Sequence, residues 1–191
     1  MVKAEYKNAI ASKKKIISSY LSILATNPDK ATVTEIVKHA NINRGTFYLH
    51  FKNVADISIC IENELAQRFK VLESDFWQID IVTQPEAILH KFNQIISQDI
   101  EYYKLIISVS ESKNLLAKIK TSIFATICNN FKIMKYVTDF ERFKTVVEYV
   151  ISGCLNSYIA WIMGEIKCSL ETLTELLTRL IREGLRGCIQ N

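Results

Sequence analysis

Glycine and proline are scarce in this chain, with five and two residues among 191. Few segments therefore resemble the Gly-, Pro- and Asn-containing turns of β-hairpins, and the composition favours helices. Only three histidines are present, and the sequence contains no HExxH, P-loop or nucleophile-elbow motif. We expect an all-α protein that is not an enzyme.

Paired cysteines and long apolar runs are also missing. The five cysteines are widely scattered and form no CxxC pair, so neither a zinc site nor a disulfide framework is indicated. We expect reduced thiols, no cofactor and no metal. The N-terminal residues lack the apolar segment of a signal peptide, and the longest uncharged run, residues 149–164, is shorter than the roughly 20 residues that span a bilayer. These features predict a cytoplasmic protein without a membrane partner.

Basic residues are concentrated at the N-terminal end. Residues 1–52 contain nine Lys and Arg against three Asp and Glu, a net charge of +6, whereas the rest of the chain has 15 against 17. Lys13, Lys14 and Lys15 form a basic patch on a first helix predicted over residues 3–26. A basic end of this kind suits a nucleic-acid partner, although a lysine-rich solvated surface would explain the charge alone.

Residues 32–57 carry the most specific local signals. Thr32 and Glu35 form a capping box that predicts the start of a short helix. Asn41 suits a tight corner because Asn tolerates a left-handed backbone. Asn43 is a candidate N-cap for a second helix over residues 44–51, and Asn53 is one for the next. Two short helices joined by such a turn predict a helix-turn-helix.

The second short helix has two kinds of side chain. Phe47 and Phe51 are four residues apart and should anchor it in a core. The other side chains of interest are polar and can donate hydrogen bonds, so this surface suits a polyanion. They are Arg44, Thr46, Tyr48, His50 and Lys52.

The segment NINRGTFYLHF resembles the recognition-helix signature of the TetR family of bacterial transcriptional regulators. The resemblance is clearest over residues 10–60, and the matching positions are Ile36, Ala40, Ile42, Gly45, Thr46, Phe47, Tyr48, His50 and Phe51. It implies a helix-turn-helix head at residues 1–53 and a helical ligand-binding and dimerisation body at residues 54–191, with residues 54–77 as the linking helix. It also implies that the lysine patch can contact the DNA backbone.

In this reading the recognition helix contacts both bases and phosphates. Arg44 is the first candidate for base reading because it can form a bidentate pair with guanine, with Asn43 and Thr46 as secondary candidates. Phosphate contacts fix the register without specifying sequence; the candidates are Thr32, Gly45, Tyr48, His50 and Lys52.

Residues 85–136 are predicted to form two or more helices with aromatic and polar side chains on their apolar faces. These side chains could line a pocket for a small-molecule effector, or they could be ordinary core. The candidates for such a pocket are Phe92, Tyr102, Tyr103, Phe124, Asn129 and Phe131.

The last two predicted helices, residues 139–166 and 169–188, have apolar zones wider than one core contact needs. TetR-like proteins dimerise through their last two long helices, so the resemblance implies a homodimer. The candidate interface residues are Val147, Ile151, Cys154, Leu155, Tyr158, Leu173, Leu177, Leu180, Ile181 and Leu185. The segments ISGCLNSYIAWIMG and LETLTELLTRLI also resemble the C-terminal domain of dihydroxyacetone-kinase-type regulators.

Two functions follow from these resemblances. The first is a dimeric repressor that binds a palindromic operator in double-stranded DNA and is released by a small-molecule ligand. The second is an adaptor or coactivator that acts mainly through protein contacts, as the dihydroxyacetone-kinase-type resemblance allows. Sequence-selective DNA binding by the purified protein would distinguish the first from the second.

Overall fold

A computed structural model describes residues 2–76, 79, 83–109, 112–134 and 137–186. Helices dominate these residues and no β-strand occurs among them, so the predicted all-α fold is confirmed. None of the described helices combines the length and apolar character needed to cross a membrane. The elements are α1 (Val2–Thr26), a 3-10 turn (Pro28–Lys30), α2 (Val33–His39), α3 (Arg44–His50), α4 (Ala55–Phe76), α5 (Pro85–Ser97), α6 (Ile100–Ser108), α7 (Ser112–Cys128), α8 (Phe131–Met134), α9 (Phe140–Ile162) and α10 (Leu170–Arg186).

The chain forms two compact units. The first comprises residues 1–65 and 101–112, and the second comprises residues 66–100 and 113–191. The division therefore falls within α4, and α6 belongs to the unit that contains the N-terminal helices.

Helices α1, α2 and α3 pack on one another in the first unit. Their apolar side chains form a core with the first half of α4, because the residues that recur at three- and four-residue spacing share one face of each helix. The buried members from these four helices include Ile16, Ile17, Tyr20, Leu21, Ile36, Val37, Phe47, Ile57, Ile61 and Leu65.

Helix α10 packs against both α5 and α9 in the second unit. The buried apolar residues of these helices include Ile88, Leu89, Ile96, Phe143, Val147, Ile151, Ile162, Leu173, Leu177 and Ile181. A polar chain crosses this core: the Tyr158 hydroxyl donates to Asn93 Oδ1 at 2.6 Å, and Asn93 Nδ2 donates to Thr174 Oγ1 at 2.7 Å. Thr174 Oγ1 in turn donates to the Leu170 carbonyl at 2.7 Å, so each of these three side chains has a hydrogen-bond partner in the core.

Helix α5 begins at Pro85, where the sequence predicts that a new helix starts. The residue that caps this helix differs from the one that the sequence suggests. Thr83 and Glu86 suggest a capping arrangement, whereas the N-cap residue is Gln84, whose side chain makes no capping hydrogen bond. Glu86 instead receives two hydrogen bonds from Arg182 Nη2, at 3.0 and 2.9 Å. The Glu86 carboxylate, which the local sequence suggests for capping, is therefore paired with Arg182 of α10.

Candidate nucleic-acid interface

Two polar residues shape α2 and the turn that follows it. Thr32 caps α2, and its hydroxyl accepts a hydrogen bond from the Glu35 backbone N–H at 3.3 Å. Asn41 has a φ of 51°, the left-handed conformation that its side chain tolerates. The backbone N–H of Ile42 then donates to the Val37 carbonyl at 3.0 Å, which closes the turn. The predicted helix-turn-helix geometry is present.

Asn43 holds the start of α3. Its Oδ1 accepts hydrogen bonds from the backbone N–H of Thr46 at 2.7 Å and from the Thr46 hydroxyl at 3.0 Å. An amide oxygen has two lone pairs, and both are used here. A bidentate contact with adenine needs the same oxygen as an acceptor. The cap therefore competes with the base-reading role that the sequence suggests for Asn43.

Two phenylalanines fix the inner face of α3. Phe47 is completely buried and Phe51 nearly so, with their ring centroids 6.0 Å apart. The Tyr48 ring meets Phe47 edge to face at 5.4 Å but remains 55% exposed. The helix is thus anchored on one side and presents the other side to solvent.

The outer face of α3 carries a mixed set of side chains. Arg44, Gly45, Tyr48, Leu49 and the following Lys52 are all exposed. Positions four residues apart lie above one another on a helix, so Arg44 aligns with Tyr48 and Gly45 with Leu49. Leu49 is 83% exposed, which its apolar character in the sequence does not predict.

Arg44 lies at the N-terminal end of this face and is hydrogen-bonded to α2. Its Nη2 donates a hydrogen bond to the Thr34 hydroxyl of α2 at 2.7 Å. A guanidinium has five N–H donors, so the contact orients the group and leaves other donors available.

His50 lies on the side of α3 that faces α1. Its Nε2 is 2.8 Å from the Ser12 hydroxyl, and the ring is half-buried. Burial, together with the nearby Lys13 ammonium, lowers the pKa of His50 below its usual 6.5. The contact with Ser12 leaves Nδ1 for any contact with phosphate.

The three residues of the lysine patch, Lys13, Lys14 and Lys15, differ in their exposure to solvent. Lys13 Nζ lies 2.8 Å from Glu64 Oε1 of α4, and this hydrogen bond raises the pKa of Lys13 above its usual range. Lys13 is therefore paired within the protein. Lys14 and Lys15 are exposed to solvent.

Comparisons with protein families agree with this geometry. Residues 24–57 match the family described as bacterial regulatory proteins, tetR family. Residues 83–183, more than half of the chain, match the family described as transcriptional regulator C-terminal region. The chain belongs to the TetR family. It is therefore a helix-turn-helix transcription regulator of a DNA-binding family.

Solved structures share the fold of this TetR-family chain at low identity. The fatty acid degradation regulator FadR from Bacillus halodurans superposes with a TM-score of 0.64 at 17% identity, covering 92% of this chain and 96% of its own. A candidate fatty acid metabolism regulator of Clostridium perfringens gives 0.63 at 16%, covering 89% and 97%. A tetR-family regulator from Streptomyces coelicolor gives 0.56 at 16%, covering 92% and 79%. No curated protein sequence matches the chain significantly.

The residues predicted to line an effector pocket are divided between the two units. Tyr102 and Tyr103 are buried in the first unit, where their ring centroids lie 5.9 Å apart. In the second unit, the ring centroids of Phe92 and Tyr158 lie 4.6 Å apart, Phe124 is half-buried and Asn129 is exposed. The side chain of Phe131 lies outside the described residues. The pocket proposed from these residues stays a prediction.

A polar cleft of about 610 Å³ lies between α5 and α10, and no predicted pocket residue lines it. Its lining residues are Glu86, His90, Glu171, Thr174, Glu175, Thr178, Arg179, Arg182 and Glu183. The sequence pattern missed this cleft because the residues come from helices some 80 positions apart.

The predicted dimer residues are mostly part of the protomer's own core. Side chains with 5% exposure or less leave almost no area for a partner; six of the ten fall in this class, namely Val147, Ile151, Tyr158, Leu173, Leu177 and Ile181. Cys154 and Leu155 are half-buried, Leu180 is 65% exposed, and the side chain of Leu185 lies outside the described residues. Most of the apolar pattern of these two helices therefore belongs to the core of the protomer itself.

The described histidines and cysteines lie apart from one another and form no metal-binding cluster. His39 Nδ1 lies 3.0 Å from the Ser19 hydroxyl, His50 contacts Ser12, and His90 lines the polar cleft. The described residues contain no group of three His, Cys, Asp or Glu placed to hold a metal ion. The free thiols are those of Cys60, Cys128, Cys154 and Cys168, whereas Cys188 lies outside the described residues.

Proposed function

We propose that this TetR-family protein is a dimeric repressor that binds a palindromic operator. In this proposal the head is residues 1–53 and the body is residues 54–191, and α4 corresponds to the linking helix predicted over residues 54–77. The observation that carries the proposal is the outer face of α3, which is exposed while Phe47 and Phe51 anchor the inner face. A recognition helix held in this way can enter the major groove, with half-sites about 34–36 Å apart or a multiple of that distance.

The side chains of α3 divide between base and phosphate contacts. Arg44 is the main base reader, because Thr34 orients its guanidinium at the start of the exposed face. Thr46 is a secondary base reader. The remaining contacts are with phosphates and fix the register; they come from Thr32, Gly45, Tyr48, His50 and Lys52.

Dimerisation uses the exposed faces of α9 and α10. One stripe of α9 stays exposed at three- and four-residue spacing and includes Tyr149, which is 80% exposed, Gly153 and Asn156. No atom lies within 4 Å of a side chain built at Gly153, so a second helix can approach closely there. On α10, Leu176 and Leu180 are 49% and 65% exposed. Such self-complementary faces suit a twofold contact.

An effector in the body would favour a separation of the two heads that does not fit the operator. The ligand must bind the two states with different affinities for this to occur. Because two structural neighbours are described as regulators of fatty acid degradation or metabolism, fatty acids are the first compounds to test for operator release.

Selection of the purified protein against a random duplex library tests the DNA function. About 0.15 M salt weakens non-specific phosphate binding, so an enriched palindrome reports base reading. Arg44→Ala should relax specificity at one position at a cost of about 1–3 kcal/mol, whereas Lys52→Ala should weaken all sequences alike and flatten the salt dependence. Lys167→Ala removes the same charge from an exposed position between α9 and α10 and is the matched control.

Two outcomes would contradict the proposal. Folded, dimeric protein that enriches no sequence would favour the adaptor or coactivator function instead. Equal effects of Arg44→Ala and Lys52→Ala on matched and random DNA would refute the division between base and phosphate contacts.

Sedimentation tests the dimer face. Leu180→Glu combined with Leu176→Glu places charges on the exposed side of α10 and should produce monomers, because a buried unpaired charge is costly. Ile59→Glu changes an aliphatic residue of α4 that is similarly exposed and should leave the dimer intact. Dimers that persist in the double variant would place the interface elsewhere.

A further inference from the structure

Leu49 has the most exposed large hydrophobic side chain in the described part of the chain, at 83%. It lies near the C-terminal end of α3, one turn after Gly45. In a helix the Cα–Cβ bond leans toward the N-terminus, so the Leu49 side chain leans over the turn that contains Gly45. Because glycine has no side chain, an open notch lies beside the leucine on this face; a Cβ built at Gly45 would meet Asn43 Oδ1 at 3.2 Å.

The surroundings of the notch are polar and basic. Arg44 and Tyr48 flank it on α3, and Lys52 follows at the end of the helix; all three are exposed. An apolar protein partner would need a contiguous patch of several hundred Å², which a single leucine does not supply. A surface with one apolar group among hydrogen-bond donors fits a polyanion that itself carries small apolar groups.

The major groove of DNA has such a group. Among the base edges exposed there, thymine alone displays a methyl group, whereas the other features are hydrogen-bond donors and acceptors. The guanidinium of Arg44 can read those polar features, whereas contact with the methyl requires an apolar group.

We propose that Leu49 reads the C5-methyl group of a thymine in each operator half-site, with the methyl seated against Leu49 and the backbone of Gly45. The proposal rests on the proposed DNA-binding function and adds to it the identity of one base and the group by which that base is read. The contact removes an exposed leucine from water, which explains why this side chain occupies the outer face of α3.

The test replaces each thymine of the enriched operator, one position at a time, with deoxyuridine, which lacks only the methyl group. Burial of one such group corresponds to about fourfold in affinity, so the wild-type protein should lose about fourfold at one position of a half-site. Substitution in both half-sites should cost about sixteenfold, because distant contacts add. Fluorescence anisotropy at fixed salt measures both values.

Leu49→Ala should bind the thymine and deoxyuridine operators almost equally at this position. Its penalties at other thymines should match those of the wild type. The variant should fold normally, since substitution of an exposed residue changes stability by about 0.5 kcal/mol or less. Ile59→Ala truncates another exposed aliphatic side chain, outside α3, and should keep the full penalty for deoxyuridine.

The possible failures are distinguishable. An operator that is bound specifically but is insensitive to deoxyuridine at every position would overturn the role of Leu49 and leave the repressor function intact. A deoxyuridine penalty that persists in Leu49→Ala would do the same. A folded dimer that selects no operator at all would overturn both proposals.

Discussion

Asn43 should act as a helix cap rather than as a base reader, and two substitutions separate these roles. Asn43→Ala removes the oxygen that accepts hydrogen bonds from the backbone and hydroxyl of Thr46, at 2.7 and 3.0 Å. Asn43→Ser keeps a cap but loses the amide needed for a bidentate contact with adenine. Helix α3 has only seven residues, so its first turn is a large part of it.

The expected loss of stability follows from the cap. Replacing a capping Asn with Ala costs about 1 kcal/mol, within a range of roughly 0.5–2. In a protein of this size, 1 kcal/mol corresponds to a decrease in Tm of about 2–4 °C. Asn43→Ser should remain close to the wild type. Operator affinity should change little in either variant, because Phe47 and Phe51 still hold α3 and the fraction able to bind stays near one.

If Asn43 instead reads a base, both substitutions should lower the affinity for the operator. A lost bidentate contact costs about 1–3 kcal/mol, and the loss would appear in both variants at the same base pair. Thermal unfolding and anisotropy with the selected operator measure the two quantities separately. The capping argument is refuted if Asn43→Ala is as stable as Asn43→Ser, or if both lose affinity to a similar extent.

Three further substitutions test the core and the α1–α3 contact. Phe47→Ala should lower the free energy of unfolding by about 3–5 kcal/mol in urea titrations, because a large buried side chain is removed; a small loss would contradict its anchoring role. Tyr158→Phe should cost about 1–3 kcal/mol by leaving Asn93 Oδ1 without its donor, and an unchanged urea midpoint would argue against this bond. The lowered pKa of His50 means that the unfolded chain takes up a proton first. Stability should therefore fall as pH decreases from about 6.5 through the lower folded pKa, and His50→Gln should remove that part of the pH dependence.

The parts of the fold that sequence predicted best depend on neighbours three or four positions away. Thr32 and Asn43 cap the helices expected of them, and Asn41 adopts the left-handed corner. Capping and turn chemistry is completed within one turn of chain, so a single sequence contains all the participants. The same signals carry the resemblance that identified the family.

Contacts between distant residues could not be derived in this way. The partner of His50 is Ser12, 38 positions away, and the partner of Lys13 is Glu64, 51 positions away. The sequence analysis expected both side chains to contact DNA, and the fold gives each of them a partner within the protein. The exposure of Leu49 could not be predicted for a related reason. An apolar residue close to Phe47 and Phe51 is expected in the core until the orientation of the helix is known.

The proposed dimer face shows most clearly why an apolar sequence pattern is insufficient to separate core from surface residues. Helix α10 has leucines on more than one side, and only the packing of α5 and α9 decides that Leu173 and Leu177 turn inward while Leu176 and Leu180 remain exposed. The exposed stripe of α9 contains Gly153 and Asn156, which no search for apolar repeats would select. If two copies meet along these stripes, close backbone approach at Gly153 contributes to the contact alongside the exposed leucines of α10. The bulky side chain introduced by Gly153→Leu should then separate the protomers without disturbing the core of either.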